Sequence, residues 1–553
     1  MNSTYPSKKQ FDRMNKLYGE NHIITSSYDK ELSAKCDNGT FVGKKKGDVL
    51  IFKGIPFAKA PINELRWKAP QYPNNSDNIY EAYYFGKSAI QEPWFSELAS
   101  CYPQSEDCLY LNVWTNTKVN KDKTVMVFIH GGAYGYGGSS DPIYDGYNLV
   151  NNHEDAVLVT ITYRVGIMGF IDFSNVEGGQ EYEDSCNLGL LDQIMALRWI
   201  QNNIEAFGGN KDNVTVFGES AGGGSVSLLP IMDLAKGLFK RVIGESGSVA
   251  LTYSKEECAP FTKDFLVASG AKNMADLLKL STEEIQRYNK NLNEKNNFPM
   301  RDGRIVPLDP YQEYKNGKSK WCDMIMGSNK DECLYWINET GGIELYAPTI
   351  PLLFETQLGK MSKEDEKIAR KFFYKNDAIL TFRKITEFEN DIIFRCPAQK
   401  QLQYHSMNGG VGYNYFYTYP SANKHVGACH AVELNHVFNN LDERMYTGDN
   451  VNEDLSNKIQ TMWVNFAKYG DPSIESINWP KYDNDTRKTL IINEDIYVKE
   501  KQYSRRSIII DELLKYYVNG SYVHLKLNNR YTRMILAVLV LLITIIVIII
   551  KAL

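Results

Sequence analysis

The pattern of apolar and polar positions changes character several times along this chain. Val125-Met126-Val127-Phe128-Ile129 is an unbroken apolar run with no polar alternation, as a strand buried on both faces of a parallel sheet requires. Residues 156–162 and 214–217, rich in β-branched residues with threonines among them, also read as buried-type strands. Between these two runs, Leu190, Ile194, Leu197, Ile200 and Ile204 recur at three-to-four spacing, which predicts a helix over 190–207. Strands alternating with helices argue for an α/β fold, a mostly parallel central sheet flanked by helices. The 553 residues would fill two or three average domains, but no internal repeat or long low-complexity linker divides them.

The pattern breaks at both ends. Residues 1–22 are polar and charged, without the apolar stretch of a signal peptide. Residues 534–550 are apolar throughout, interrupted only by Thr544. A core helix keeps a polar face, so this stretch predicts a transmembrane helix at the short end of the range. Arg530 and Arg533 precede it, which places that side in the cytosol by the positive-inside tendency. The expected order is a polar extension over 1–22, one globular domain over 23–520, a juxtamembrane segment over 521–533 and the anchor over 534–550. A removable lipid-anchor signal, with small residues around Asn519-Gly520-Ser521, is the rival reading and requires entry into the secretory pathway.

Composition narrows the chemistry. The net charge is −5, which gives nucleic-acid binding no support. Lys44-Lys45-Lys46, between Gly43 and Gly47, reads as a solvated hairpin tip. Gly317-Lys318-Ser319 resembles the end of a phosphate-binding loop, but Gln312 stands where its leading glycine belongs. No His-Glu-x-x-His, paired Cys-x-x-Cys or dinucleotide-binding glycine pattern is present, so neither metal nor cofactor is expected.

Gly218-Glu219-Ser220-Ala221-Gly222 is the most informative stretch. It follows the strand-like run 214–217 and opens into a helix-compatible segment, the pattern of a nucleophile elbow, where a sharp strand-to-helix turn exposes a serine hydroxyl. A serine needs a base, and the base needs an orienting group. In elbow folds these follow in the order Ser, acid, His. The acid is Glu332 or Asp331, in the polar loop after Met324-Ile325-Met326. The base is His430, with His425 and His436 as competitors. His130-Gly131-Gly132-Ala133-Tyr134 ends the apolar run 125–129. Small residues at a strand end let backbone amides face a developing oxyanion.

These blocks make the chain resemble the type-B carboxylesterases, a family that includes cholinesterases and the non-catalytic neuroligins. Further matching blocks are Phe52-Lys53-Gly54-Ile55-Pro56-Phe57-Ala58, Glu106-Asp107-Cys108-Leu109-Tyr110-Leu111-Asn112-Val113 and Tyr163-Arg164-Val165-Gly166. Asn187-Leu188-Gly189-Leu190-Leu191-Asp192-Gln193, Phe207-Gly208-Gly209-Asn210, Gly470-Asp471-Pro472 and Trp479-Pro480 complete the series. The resemblance implies an α/β-hydrolase fold and a serine hydrolase that cleaves small carboxylic esters through an acyl-enzyme. It implies Ser220 as nucleophile, His430 as base and acid, and Glu332 as its orienter. Gly132, Ala133 and Ala221 become the oxyanion donors, and Ser246, in Gly244-Glu245-Ser246-Gly247-Ser248, a supporting group near the triad. Glu219 reads as a buried structural acceptor first and a charge-tuning group second. A membrane-anchored binding protein of the neuroligin type is the alternative function.

Three departures from the family pattern bear on that reading. Ala133 replaces a glycine and brings a methyl group to the acyl side. Cys333 replaces the glycine commonly found after the acid. Tyr335 and Trp336 follow where cholinesterases place part of an aromatic gorge, while Trp94 matches the choline-binding tryptophan poorly in spacing. The nine cysteines lack most of the family's disulfide partners, which points to a reducing compartment; Cys101, seven residues away, is the one neighbour near enough to bridge to Cys108, and the sequence leaves their disulfide state open.

Overall fold

The computed structural model describes residues 12, 16–91, 103–292, 298–335, 362–364, 367, 386–387 and 389–502. Fourteen strands form two sheets among them. The smaller contains β1 (Ser33–Cys36), β2 (Gly39–Val42) and β5 (Ile79–Glu81). The larger contains β3 (Lys44–Lys46), β4 (Val49–Pro56), β6 (Tyr110–Asn116), β7 (Lys123–Ile129), β8 (Ala156–Ile161), β9 (Gly209–Glu219) and β10 (Arg241–Glu245). It continues with β11 (Asp323–Asn329), β12 (Gly412–Tyr417), β13 (Thr489–Ile492) and β14 (Tyr497–Lys499). Its spatial order is β14-β13-β12-β11-β10-β9-β7-β8-β6-β4-β3. The run from β8 to β13 is parallel, and antiparallel pairs close both edges.

The unbroken apolar run of β7 has a direct cause. Val125, Val127 and Ile129 enter one core while Met126 and Phe128 enter the other, so neither face of the strand meets water. The helix Leu188–Asn203, continued as a 3-10 turn over Ile204–Phe207, covers the first face with Leu190, Ile194, Leu197 and Ile200. The helix Glu453–Tyr469 covers the second with Leu455, Ile459, Met462, Trp463 and Phe466. Each such side chain contributes about 1.5–3 kcal/mol when fully buried.

Two of the matching sequence blocks meet inside the protein. Arg164 donates from Nε to Asp192 Oδ2 at 2.8 Å and from Nη2 to Oδ1 at 2.7 Å. Its backbone amide reaches Oδ2 at 3.0 Å, and Nη1 reaches the Lys68 carbonyl at 2.8 Å. Both side chains are buried, so the pair survives only because its charges satisfy each other.

The lysine run corrects one expectation. Lys44-Lys45-Lys46 is not a hairpin tip but the exposed edge strand β3, and the turn itself lies at Gly47, with φ 57°. Three ammonium groups on an edge prevent another strand from adding to it. The expected anchor over 534–550 lies outside the described residues, and among those described no helix is long and apolar enough to cross a membrane. Cys108 is free and buried; Cys101, with which it could bridge, lies outside the described residues.

Replacing Asp192 by Ala leaves a buried guanidinium unpaired, with an expected loss of about 3–5 kcal/mol. Denaturant unfolding of the variant measures it, and a loss below 1 kcal/mol would refute the role given to the pair.

Candidate active site

The residues singled out for chemistry gather at the carboxyl ends of adjacent parallel strands, where open α/β sheets bind their ligands. β9 ends at Glu219, and Ser220 turns the chain into the helix Ala221–Leu228. Ser220 holds φ 59° and ψ −118°, a strained conformation for a residue with a side chain. The turn closes because main chains touch. A Cβ on Gly222 would stand 2.0 Å from the Ile129 carbonyl oxygen, so any side chain there would push the elbow off β7. The Ser220 amide donates to the Glu245 carbonyl at 2.8 Å, fixing the turn to β10.

β7 runs into His130-Gly131-Gly132-Ala133. Gly132 has φ 104°, and a Cβ on it would meet the Tyr136 carbonyl oxygen at 2.2 Å. The amides of Gly135 and Tyr136 fold back onto the Gly132 carbonyl at 2.9 and 3.0 Å. Ala133 also has a positive φ, 50°. This loop lies against the elbow: a Cβ on Gly131 would stand 2.9 Å from Glu219 Oε2 and 3.0 Å from Ser220 Cβ. Ala221 begins its helix, where amides lack an intrahelical acceptor.

The remaining members come from the turn after β11 and the loop after β12. His430 Nδ1 lies 2.6 Å from Glu332 Oε2. The other oxygen, Oε1, accepts from Ser246 Oγ at 2.7 Å and from the Asn329 amide at 2.6 Å. Asp331 faces away, with Oδ2 accepting from the Ala428 amide at 3.0 Å. His425 is exposed, and His436 is buried against the Tyr417 hydroxyl at 3.0 Å. The structure thus brings Glu332 and His430 together and leaves their competitors elsewhere.

Glu219 stands closer to the chemistry than a purely structural acceptor would. Its Oε1 lies 3.0 Å from His430 Nε2, so the imidazole is bracketed by two carboxyl groups. Tyr335 packs on Tyr446, ring centroids 5.7 Å apart. Trp94 and Trp336 lie outside the described residues. Burial pushes the Cys333 thiol well above its usual range, so this departure from the family pattern adds no nucleophile.

Two further acids were not singled out by the sequence reading. Glu433 Oε2 accepts from Asn329 Nδ2, and Glu245 Oε1 accepts from Trp463 Nε1 at 2.5 Å. Burial, then repulsion from Glu332, pushes Glu433 up to about 7. Burial, then Glu433, holds Glu245 well above the carboxylate range. Glu433 stands three residues after His430 and Glu245 directly before Ser246, but nothing in the sequence signals that the fold brings the acids together.

The carboxylesterase family model matches residues 30–508. The chain belongs to the carboxylesterase family. It is 35% identical to the para-nitrobenzyl esterase of Bacillus subtilis over 88% of this chain and 97% of that one. It is 30% identical to a cholinesterase of Mus musculus over 83% of this chain and 81% of that one. A solved Geobacillus stearothermophilus carboxylesterase superposes with a TM-score of 0.77 at 30% identity, covering 86% of this chain and 99% of that one. The protein is therefore a carboxylic ester hydrolase with the α/β-hydrolase fold, and no relative among these supports the adhesion-protein alternative.

The raised value of Glu433 sets a pH dependence. Between its ordinary 4.5 and about 7, the folded protein keeps a proton that the unfolded chain has lost. This contribution to stability is complete below about pH 4.5 and disappears as pH rises through about 7. The wild-type melting temperature should therefore fall more steeply between pH 5 and 8 than that of Glu433→Gln. Parallel curves from thermal scans across that window would refute this.

Proposed function

We propose that this carboxylesterase works by two successive acyl transfers through Ser220. The observation that carries the reading is the 2.6 Å contact between Glu332 Oε2 and His430 Nδ1, beside the strand end that presents Ser220. Glu332 keeps a proton on Nδ1, which leaves Nε2 to take the Ser220 hydroxyl proton as the oxygen attacks the ester carbonyl. The amides of Gly132, Ala133 and Ala221 receive the charge on the tetrahedral intermediate. His430 then returns the proton to the departing alcohol. Water, deprotonated by the same imidazole, releases the acid from Ser220.

Ser246 and the Asn329 amide fix the oxygen of Glu332 that does not face the imidazole. Glu219, 3.0 Å from Nε2, places a carboxyl group beside the imidazolium formed at each proton transfer and so supports its charge. The Ala133 methyl reduces the room on the acyl side, which favours esters of small acids. Metal and cofactor have no part in the scheme.

Intact-protein mass after reaction of the full chain in detergent with a small fluorophosphonate tests the nucleophile. One adduct is expected, on Ser220, and none in His430→Ala. Ser220→Ala should lower kcat/KM on a short 4-nitrophenyl ester by about 10⁴-fold or more; unaltered turnover would sink the assignment.

The apolar segment 534–550 supports a second proposal, that the enzyme is held on a membrane by its C-terminus with the catalytic domain on the cytosolic side. After alkaline carbonate extraction the full chain should remain in the membrane pellet, whereas a chain ending at residue 528 should be released. A soluble full-length protein would overturn the proposal.

A further inference from the structure

The turn that carries Glu332 is tied on one side to the end of β12, through Lys330 N to Tyr417 O, and to the histidine loop, through Asp331 N to Ala428 O, both 2.9 Å. Its other side is gripped by a residue distant in sequence. Asn390 Oδ1 accepts from the Cys333 amide at 2.8 Å, and Asn390 Nδ2 donates to the Lys330 carbonyl at 3.0 Å. A single buried side-chain amide thus spans the turn on both sides of Glu332.

Asn390 leads into a π-helical turn, Asp391–Arg395. Hydrogen bonding from i to i+5 admits an extra residue, which rotates the side chains that follow by roughly 100° relative to an α-helix. Such turns are rare and recur at functional sites. From this one, Phe394 lies against His430, ring centroids 4.9 Å apart and planes inclined at 42°. Arg395 Nη2 points to the carbonyls of Asn329 and Lys330, each at 3.4 Å. Its charge is paired with Asp391 and stands 4.3 Å over the Phe416 ring. One short segment therefore touches both ends of the acid's turn and the face of the base.

We propose that Asn390 is a positioning residue for ester hydrolysis: it sets where Glu332 stands and, with Phe394 from the same turn, holds the Glu332–His430 pair in the geometry that activates Ser220. The inference rests on the acyl-enzyme reading above. Removing the amide leaves the buried Cys333 N–H without its acceptor. The turn moves to satisfy that group, and the short contact to Nδ1 is lost. Displacements of about 1 Å at a reacting constellation cost up to about 100-fold in rate. The loss falls on the chemical step, because the proposed role of Asn390 is exerted through Glu332.

The test uses the full chain with Asn390→Ala and Asn390→Asp; the aspartate keeps the shape and the acceptor but removes the donor to Lys330. The expected result is a kcat lowered about 10- to 100-fold, with KM within about twofold of wild type. The rate of fluorophosphonate labelling should fall by the same factor. The low-field proton resonance of His430 Nδ1–H should shift or broaden. Phe394→Leu should give a smaller loss of the same kind. If the alanine variant does not fold, the aspartate variant decides on the same readouts. A folded variant with unchanged kcat, labelling rate and resonance would overturn the inference, as would a reduced number of titrated sites that each turn over at the wild-type rate. Wild-type labelling separates the two levels: if Ser220 is never labelled, the acyl-enzyme reading itself fails, whereas normal labelling in every variant removes only the role of Asn390.

Discussion

A carboxyl group taken wholly out of water is tolerated only where donors surround it, and Glu332 has three. The Asn329 amide and Ser246 Oγ reach one oxygen, and His430 Nδ1 reaches the other at 2.6 Å. Each donor comes from a different place in the sheet: the end of β11, the residue after β10 and the loop after β12. The contact exists only if these strands stand side by side in their observed register, Gly244 opposite Met326 and Asn329 opposite Tyr417. A slip of one residue would reverse every side chain and separate Glu332 from His430. The two-sided apolar packing of the central strands is what forbids that slip, so the core and the geometry of the site are a single constraint.

The same crowding brings acids together. Glu219 and Glu245 are cross-strand partners at the ends of β9 and β10, and Glu433 shares Asn329 with Glu332. Buried carboxyl groups at close quarters do not all ionise. Burial and their neighbours push Glu245 and Glu433 upward, so these two hold a proton more readily than ordinary carboxyl groups. This limits the negative charge behind the imidazole. Glu219 and Glu332, by contrast, face the imidazole directly.

Much of this was legible in the sequence because the determining contacts are local or leave a pattern. Apolar runs marked β7, β8 and β9, and the spacing from Leu190 to Ile204 marked the covering helix. The glycines around Ser220 mark places where main chains touch, as Gly222 does against Ile129. Asn390 and Phe394 left no such trace. Their partners, Cys333 and His430, are remote in sequence, and an asparagine that bridges a distant turn has the same local signature as one in water. The π-helical turn was equally hidden, since its extra residue breaks the period on which helix reading depends. Lys44-Lys45-Lys46 misled for a related reason: charge suggested a loop tip, whereas an edge strand meets the same solvent.

The backbone shows where the fold bears the cost of function. Of the eleven non-glycine residues with positive φ among those described, Ala133, Tyr134, Ser220, Ser246 and Ala431 lie in the loop after β7, at the turn after β9, just after β10 or beside His430. Each such conformation costs on the order of 1–3 kcal/mol, and none would persist in an isolated loop. They persist because each follows or flanks an anchored contact: Ser220 N to Glu245 O, Ser246 N to Gly327 O, His430 N to Glu332 O. Strain of this kind is a consequence of bringing hydroxyl, imidazole, carboxylate and amides to one strand edge, since relaxed turns would point them apart. The stability of the parallel sheet is therefore the reserve on which the site's geometry draws, and a substitution that loosens β9, β10 or β11 without touching the site should release that strain and separate the groups before it unfolds the chain.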